Sequence, residues 1–311
     1  MDNLTHSLVG WALAETGLKR RTRKGLAALV LAANMPDIDV FFGWAPWPPL
    51  AMHRGFTHGL VGGVLLLPPV LAGLLWLLDR WQAARGRVGP DAPRLRYGWL
   101  VLLSYLGAIT HPLLDLQNVY AVQLMSPLSA RWFHSDGLFI VSPWLLGMLG
   151  LGIWRSRARG RALPAAAALL ASAAFIVGNV GISALAWRAV PGRPDRVFAS
   201  PAPLAFWRRE VVWRQQGVIA RGDYDPLRSP TALSISGELA ADNMALPVVR
   251  EAVAASAELR DFLAWSQMPM AAVEQHGCVA RVTVADARFA ATPIRGSFSR
   301  TVELDRCRPQ G

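Results

Sequence analysis

Five apolar runs of near bilayer-spanning length are separated by loops alternately rich and poor in Lys and Arg, which confines the chain to a multi-pass membrane bundle. The runs cover residues 25–44, 59–78, 98–118, 137–154 and 163–187. Each approaches the ~20 residues that a ~30 Å hydrocarbon core requires. A sixth run, residues 4–18, is shorter and carries Thr5, His6 and Glu15, so it makes a poor span alone. Trp44, Trp47, Trp99, Trp154 and Trp187 fall near segment ends, where interfacial aromatics belong. The loops after the first, third and fifth runs in the resulting set of six hold 14 basic residues, whereas loops 45–58 and 119–136 hold only Arg54 and Arg131. The positive-inside rule then places the basic loops in the cytoplasm, and the N-terminus and everything after the sixth run outside.

The expected architecture is an all-α polytopic bundle of about six helices over residues 1–189, followed by a small extracytoplasmic α+β domain over 190–311. Only 17% of the 311 residues are charged, against about a quarter in soluble domains. The net charge of +11 does not indicate nucleic acid: residues 1–189 hold 17 Lys/Arg against 8 Asp/Glu, the tail 15 against 13, and the excess sits in short loops. From Pro191 on, four prolines, Pro191, Pro194, Pro201 and Pro203, interrupt the helical pattern. Residues 207–220 and 278–289 read as strands and 248–265 as a helix. Cys278 and Cys307 can form one bridge if the tail faces an oxidising compartment, or stay as two thiols. Met1-Asp2-Asn3 lacks the basic start of a cleavable signal peptide, so the first run is expected to remain.

Ionisable groups inside a membrane are costly and call for a partner or a function. Five of the six histidines, His6, His53, His58, His111 and His134, lie within the first 136 residues, together with Asp37, Asp39, Asp115 and Asp136. Counted at ~1.5 Å per residue from the cytoplasmic ends, Asp37, Asp39 and His111 lie about 18–21 Å up their helices, and Asp115 shares a face with His111 at i, i+4. His6, His53, His58, His134 and Asp136 fall at outer ends or in outer loops, so all nine groups gather at the outer third of the bundle. The orientation came from Lys and Arg alone, so the gathering is an independent observation. Taken singly, each has an ordinary reading: a helix-end hydrogen bond for His6, a cap and helix break for Asp37 and Asp39, a surface loop for His134 and Asp136. Jointly they form the ligand set of Zn²⁺, with Mn²⁺ or Fe²⁺ as alternatives.

The fragments Asp2-Asn3-Leu4-Thr5-His6, Asn34-Met35-Pro36-Asp37-Ile38-Asp39, His53-Arg54-Gly55-Phe56-Thr57-His58 and His111-Pro112-Leu113-Leu114-Asp115 resemble, in that order, the motifs of the YdjM-type inner-membrane proteins, which are labelled metal-dependent hydrolases. The resemblance covers roughly residues 1–187 and implies an inner-membrane location and a hydrolase activity. Trp265-Ser266-Gln267-Met268-Pro269 and Asp286-Ala287-Arg288-Phe289 look like the appended domain of some members. A looser similarity links the H-x-x-x-D pair to zinc-dependent phospholipase C, but this chain has no H-x-x-x-E pair, and His134 and Asp136 would have to substitute.

The sequence therefore points to a membrane-bound metal-dependent hydrolase acting on a phosphoester or lipid-linked substrate at the outer face of the inner membrane. His53, His58, His111 and Asp115 are the foremost ligands, His6 and Asp37 the next, and His134 and Asp136 complete the set. Asp39 is the expected base or orienting group, and Arg54 the expected contact to an anionic head group. A metal-stabilised scaffold with a partner-binding tail is the non-catalytic alternative. A transporter fits less well, because the ionisable groups lie on one side and no inverted repeat is evident.

Overall fold

The computed structural model describes residues 1–42, 54–237, 239–289 and 298–307. The candidate ligand His53 lies outside the described residues. Two compact units result: the described residues through Ile182, with Pro201–Phe206, form the first, and Ser183–Ser200, which begins with the last turns of the helix Leu163–Arg188, forms the second with the described residues from Trp207 on.

The first unit is helical. Its elements are α1 (Asn3–Glu15), α2 (Gly25–Asn34), a 3-10 stretch Met35–Phe42, a 3-10 turn Phe56–His58, a π-helical turn Leu60–Leu66 running into α3 (Leu67–Ala84), α4 (Tyr97–Asp115), α5 (Pro143–Arg159) and α6 (Leu163–Arg188). Among the described residues, three helices are long and apolar enough to cross a membrane: Leu60–Ala84, Tyr97–Asp115 and Leu163–Arg188. The second apolar run is not the single helix its hydropathy suggests, because α2 stops at Asn34 and tightens to 3-10 where Pro36 lacks an amide hydrogen. The fifth run starts as a helix only at Pro143, with Ser142 as the cap.

Small residues let these helices approach closely, as lipid-embedded helices do. Ala14, Ala28, Leu29, Ala32, Ala72, Leu100, Leu103 and Ala108 share one buried cluster. Gly10 of α1 and Gly107 of α4 press on the same backbone group from two sides: a Cβ at either would lie 2.7 Å or 2.5 Å from the Leu29 carbonyl oxygen of α2. Large apolar side chains instead face outward along α4 (Leu102, Leu106, Ile109, Leu113) and α6 (Leu163, Leu170, Val177).

Among the described residues the second unit carries two sheets and two helices. β1 (Arg196–Pro201), β2 (Arg209–Gln215), β3 (Val218–Tyr224) and β4 (Ser234–Ile235) lie in that order, with β5 (Ala240–Ala241) also paired to β3. The β2–β3 hairpin closes with Gln215 opposite Val218 over Gln216 and Gly217, both at positive φ. The second sheet is β6 (Pro269–His276), β7 (Val279–Asp286) and β8 (Ser299–Asp305). The helix expected over 248–265 is two, α7 (Pro247–Ala255) and α8 (Ala257–Trp265), because the Ser256 hydroxyl caps the Leu259 amide and starts a new helix. Leu259, Phe262 and Trp265 are fully buried, with Trp265 stacked near Phe289 and Phe298. Cys278, in the β6–β7 turn, is disulfide-bonded to Cys307 just past β8.

Candidate metal centre

Local sequence chemistry aims each side chain of the cluster. Asp2 caps α1, accepting from the Thr5 amide at 2.9 Å and the Thr5 hydroxyl at 2.6 Å, which fixes the first turn and turns His6 inward. His6 lies one turn before Gly10, and His111 one turn after Gly107. The two glycines clasp α2 between antiparallel helices, so these imidazoles meet one turn above the contact, stacked with centroids 3.9 Å apart. Both rings are fully buried.

Pro36 has a second consequence. In 3-10 register the Ala33 carbonyl would accept from residue 36, and proline has no hydrogen to give. The His111 Nδ1 lies 2.7 Å from this oxygen. A carbonyl only accepts, so Nδ1 carries a proton, and in the neutral ring Nε2 is then the nitrogen with the lone pair. Nε2 faces Asp115 Oδ2 at 3.2 Å and Asp37 Oδ1 at 3.6 Å and makes no hydrogen bond among the described residues.

His58 enters from the 3-10 turn after Arg54. Outer-loop hydrogen bonds hold that turn near the end of α4: Gln123 amide to Arg54 carbonyl at 2.9 Å and Leu60 amide to Leu124 carbonyl at 2.8 Å. His58 Nε2 lies 3.1 Å from Asp37 Oδ1 and 3.6 Å from Asp115 Oδ2, while Nδ1 lies 3.4 Å from Asp39 Oδ2. Thr57 donates to Asp39 at 2.7 Å. Asp39 thus sits behind His58, on the side away from Asp37 and Asp115, where it orients the ring.

Four donor atoms, Asp37 Oδ1, His58 Nε2, Asp115 Oδ2 and His111 Nε2, close a ring with successive separations of 3.1, 3.6, 3.2 and 3.6 Å. Asp37 Oδ2 and Asp115 Oδ2 are buried without a hydrogen-bond partner among the described residues. Two overlapping groups could hold a metal ion: Asp37, His58 and His111, and His6, His111 and Asp115. Both need the one free nitrogen of His111, so a single ion cannot be joined by a second through that ring.

The other oxygen of Asp115 is engaged differently. Arg54 Nη1 lies 3.0 Å from Oδ1 but off the N–H direction, His6 Nε2 lies at 3.4 Å, and the Met1 amino nitrogen contacts the same oxygen. Arg54 is buried, at a left-handed φ of 76° unusual for a side chain of this size, with its guanidinium over the Tyr120 ring. His134 and Asp136 pair with each other at 2.8 Å and, among the described residues, join neither group. Sequence reading passed over Thr57, the Ala33 carbonyl, Gly10 and Gly107. Their signal was positional, a hydroxyl beside His58 and small residues four places from His6 and His111.

A family model described as YdjM inner membrane protein matches residues 1–188, and the chain belongs to that family of inner membrane proteins. No curated protein matches the chain, and no solved structure does.

Proposed function

We propose that this YdjM-family chain is a metal-dependent hydrolase that holds one divalent ion, zinc foremost, between Asp37, His58, His111 and Asp115, and cleaves a phosphoester or lipid-linked substrate at the outer face of the inner membrane. The observation that carries the reading is the His111 Nε2, which has no hydrogen-bond partner among the described residues and faces Asp115 Oδ2, an oxygen equally without one, and the Asp37 carboxylate, whose Oδ2 also has none. A neutral ring nitrogen against anionic oxygens is repulsive, and a divalent cation held between them turns every one of these contacts favourable. The ring separations of 3.1–3.6 Å suit that cation, because four ligands at 2.0–2.1 Å from a tetrahedral ion are about 3.3–3.4 Å apart. Two imidazoles with two carboxylates are zinc-type donors, and the Ala33 carbonyl and Asp39 supply the second-layer contacts that fix ligand histidines.

Such an ion supplies Lewis acidity, polarising a phosphoryl oxygen and acidifying water. The chain's own groups do the rest. Asp39 and Thr57 hold the His58 ring in place. Arg54, ion-paired with Asp115 through Nη1, keeps a buried Nε that makes no hydrogen bond among the described residues, a donor that suits a phosphoryl anion beside Asp115. His6, outside the four-atom ring yet 3.4 Å from Asp115, is placed to carry a proton. His53, His134 and Asp136 remain candidates for completing the site. The crossings and the extracytoplasmic tail belong to the same proposal, supported by the basic loops and by the Cys278–Cys307 bridge, which suits an oxidising compartment.

One observation favours the non-catalytic scaffold: the ring is closed off, with only Asp37 showing as much as 12% exposure. The deciding experiment measures metal content and phosphodiester and lipid hydrolysis on purified protein and on His58→Ala and Asp115→Ala. Bound metal with turnover that both variants lose supports the hydrolase. Bound metal that stabilises the fold without turnover supports the scaffold, and a folded, metal-free protein defeats both.

A further inference from the structure

Away from the histidines, the first unit has a cavity of about 300 Å³ where the end of α1 meets the α5–α6 turn. Lys19 and Arg20 line it from the 3-10 turn Leu18–Arg21, Arg157 from the last turn of α5 and Arg161 from just beyond it, with Glu15 as the only acid among the lining residues. Glu15 is already engaged, accepting from Lys19 at 2.6 Å and from the Trp11 indole at 2.9 Å. Arg157 lies over the Trp11 ring at 5.5 Å. The Arg20 and Arg161 guanidiniums have no partner among the described residues. Four cations against one acid leave a cavity with three uncompensated positive charges.

Setting the orientation of a membrane protein needs basic loops, not a concavity that two of them share. Two guanidinium forks over one hollow match the oxygens of a phosphate diester. Next in the chain after the lining residue Ala162, Leu163 begins an outward apolar series, Leu163, Leu170 and Val177, which are 75%, 73% and 72% exposed at seven-residue spacing on one face of α6. A phosphate-sized basic hollow leading onto an acyl-sized apolar stripe is the complement of one molecule. We propose that this cavity binds the head group of an anionic phospholipid, with Arg20 and Arg161 on its phosphate and an acyl chain along α6. The site is separate from the histidine cluster and does not depend on its metal.

The test uses the full chain, purified and delipidated in detergent. Lipid binding is read by native mass spectrometry with phosphatidylglycerol, with phosphatidylcholine and with inorganic phosphate. The expected result is a preference for phosphatidylglycerol over phosphatidylcholine of about tenfold or more, lowered about thirtyfold in affinity by Arg20→Gln/Arg161→Gln. Because those substitutions also alter the loop charge that orients the chain, Ala162→Phe serves as the second variant. It fills the hollow with every charge retained and should weaken the same lipid to a similar degree. Unchanged phosphatidylglycerol binding in both variants overturns the proposal. So does inorganic phosphate binding as tightly as the lipid, which would make the hollow a site for free anions.

Discussion

Asp115 and Asp286 are both buried carboxylates beside an arginine, one in each unit, and they are provided for in opposite ways. Asp286 is saturated. Its Oδ1 accepts from the Arg288 amide at 3.0 Å and Nε at 2.8 Å, and its Oδ2 from the Ser266 hydroxyl at 2.6 Å, the Gln267 amide at 3.0 Å and Arg288 Nη2 at 2.8 Å. The Arg288 guanidinium is itself packed among Phe198, Trp265 and Phe289. Asp115 has cations crowded on Oδ1 and nothing hydrogen-bonded to Oδ2, which faces two imidazole nitrogens. A carboxylate whose acceptors are all used is a clasp within the fold. One left half open at the same depth is where the proposed ion would be held.

The contrast can be broken most forcefully at the saturated end. Asp286→Ala strands the Arg288 charge in an aromatic pocket and should cost about 3–5 kcal/mol in denaturant unfolding of the second unit, with metal content unchanged. If that variant lost metal but kept its stability, the two roles would be reversed. Asp115→Asn is the converse. It keeps the shape and removes the charge, and should weaken zinc binding about a hundredfold or more in competition with a chromophoric chelator, leaving the second unit's unfolding alone. A smaller effect, a ~10–100-fold loss of zinc affinity, is expected for Asp39→Asn, because it reaches the ion only through His58. An Asp39→Asn loss as deep as that of Asp115→Asn would mean Asp39 is itself a ligand.

Acid sharpens the comparison further. Burial alone would raise the Asp286 carboxyl, but the Arg288 guanidinium and its hydrogen bonds outweigh burial and hold it below the ordinary carboxylate range. The folded value is the depressed one, so the stability it contributes is complete above the unfolded value of about 3.9 and is lost as pH falls through the folded value. The second unit should therefore tolerate mild acid and fail below about pH 4, and Asp286→Asn should flatten that acid limb in circular dichroism.

Much of this was legible in the residues themselves. Apolar runs between basic loops specified a membrane bundle, because burying charge in hydrocarbon is costly whatever the partner helices are. The i, i+4 spacing of His111 and Asp115 placed them together on any helix, and the alternation in 278–289 gave a strand in any sheet. The break at Pro36 was visible as well, since proline removes a donor locally. These are one-dimensional facts, set by neighbours along the chain.

What only the tertiary structure decided is which atoms face which. That Gly10 and Gly107 clamp one carbonyl, that Ala33 claims the Nδ1 of His111, and that His134 pairs with Asp136 away from the four-atom ring depend on side chains from distant segments meeting at angstrom precision. The same holds for the split of the site into an Asp37–His58–His111–Asp115 ring with Asp39 behind it and Arg54 beside it. Composition and spacing report how much charge is buried and on which helix. They carry no information on whether a particular lone pair finds a hydrogen, and that is what separates the saturated Asp286 from the half-open Asp115.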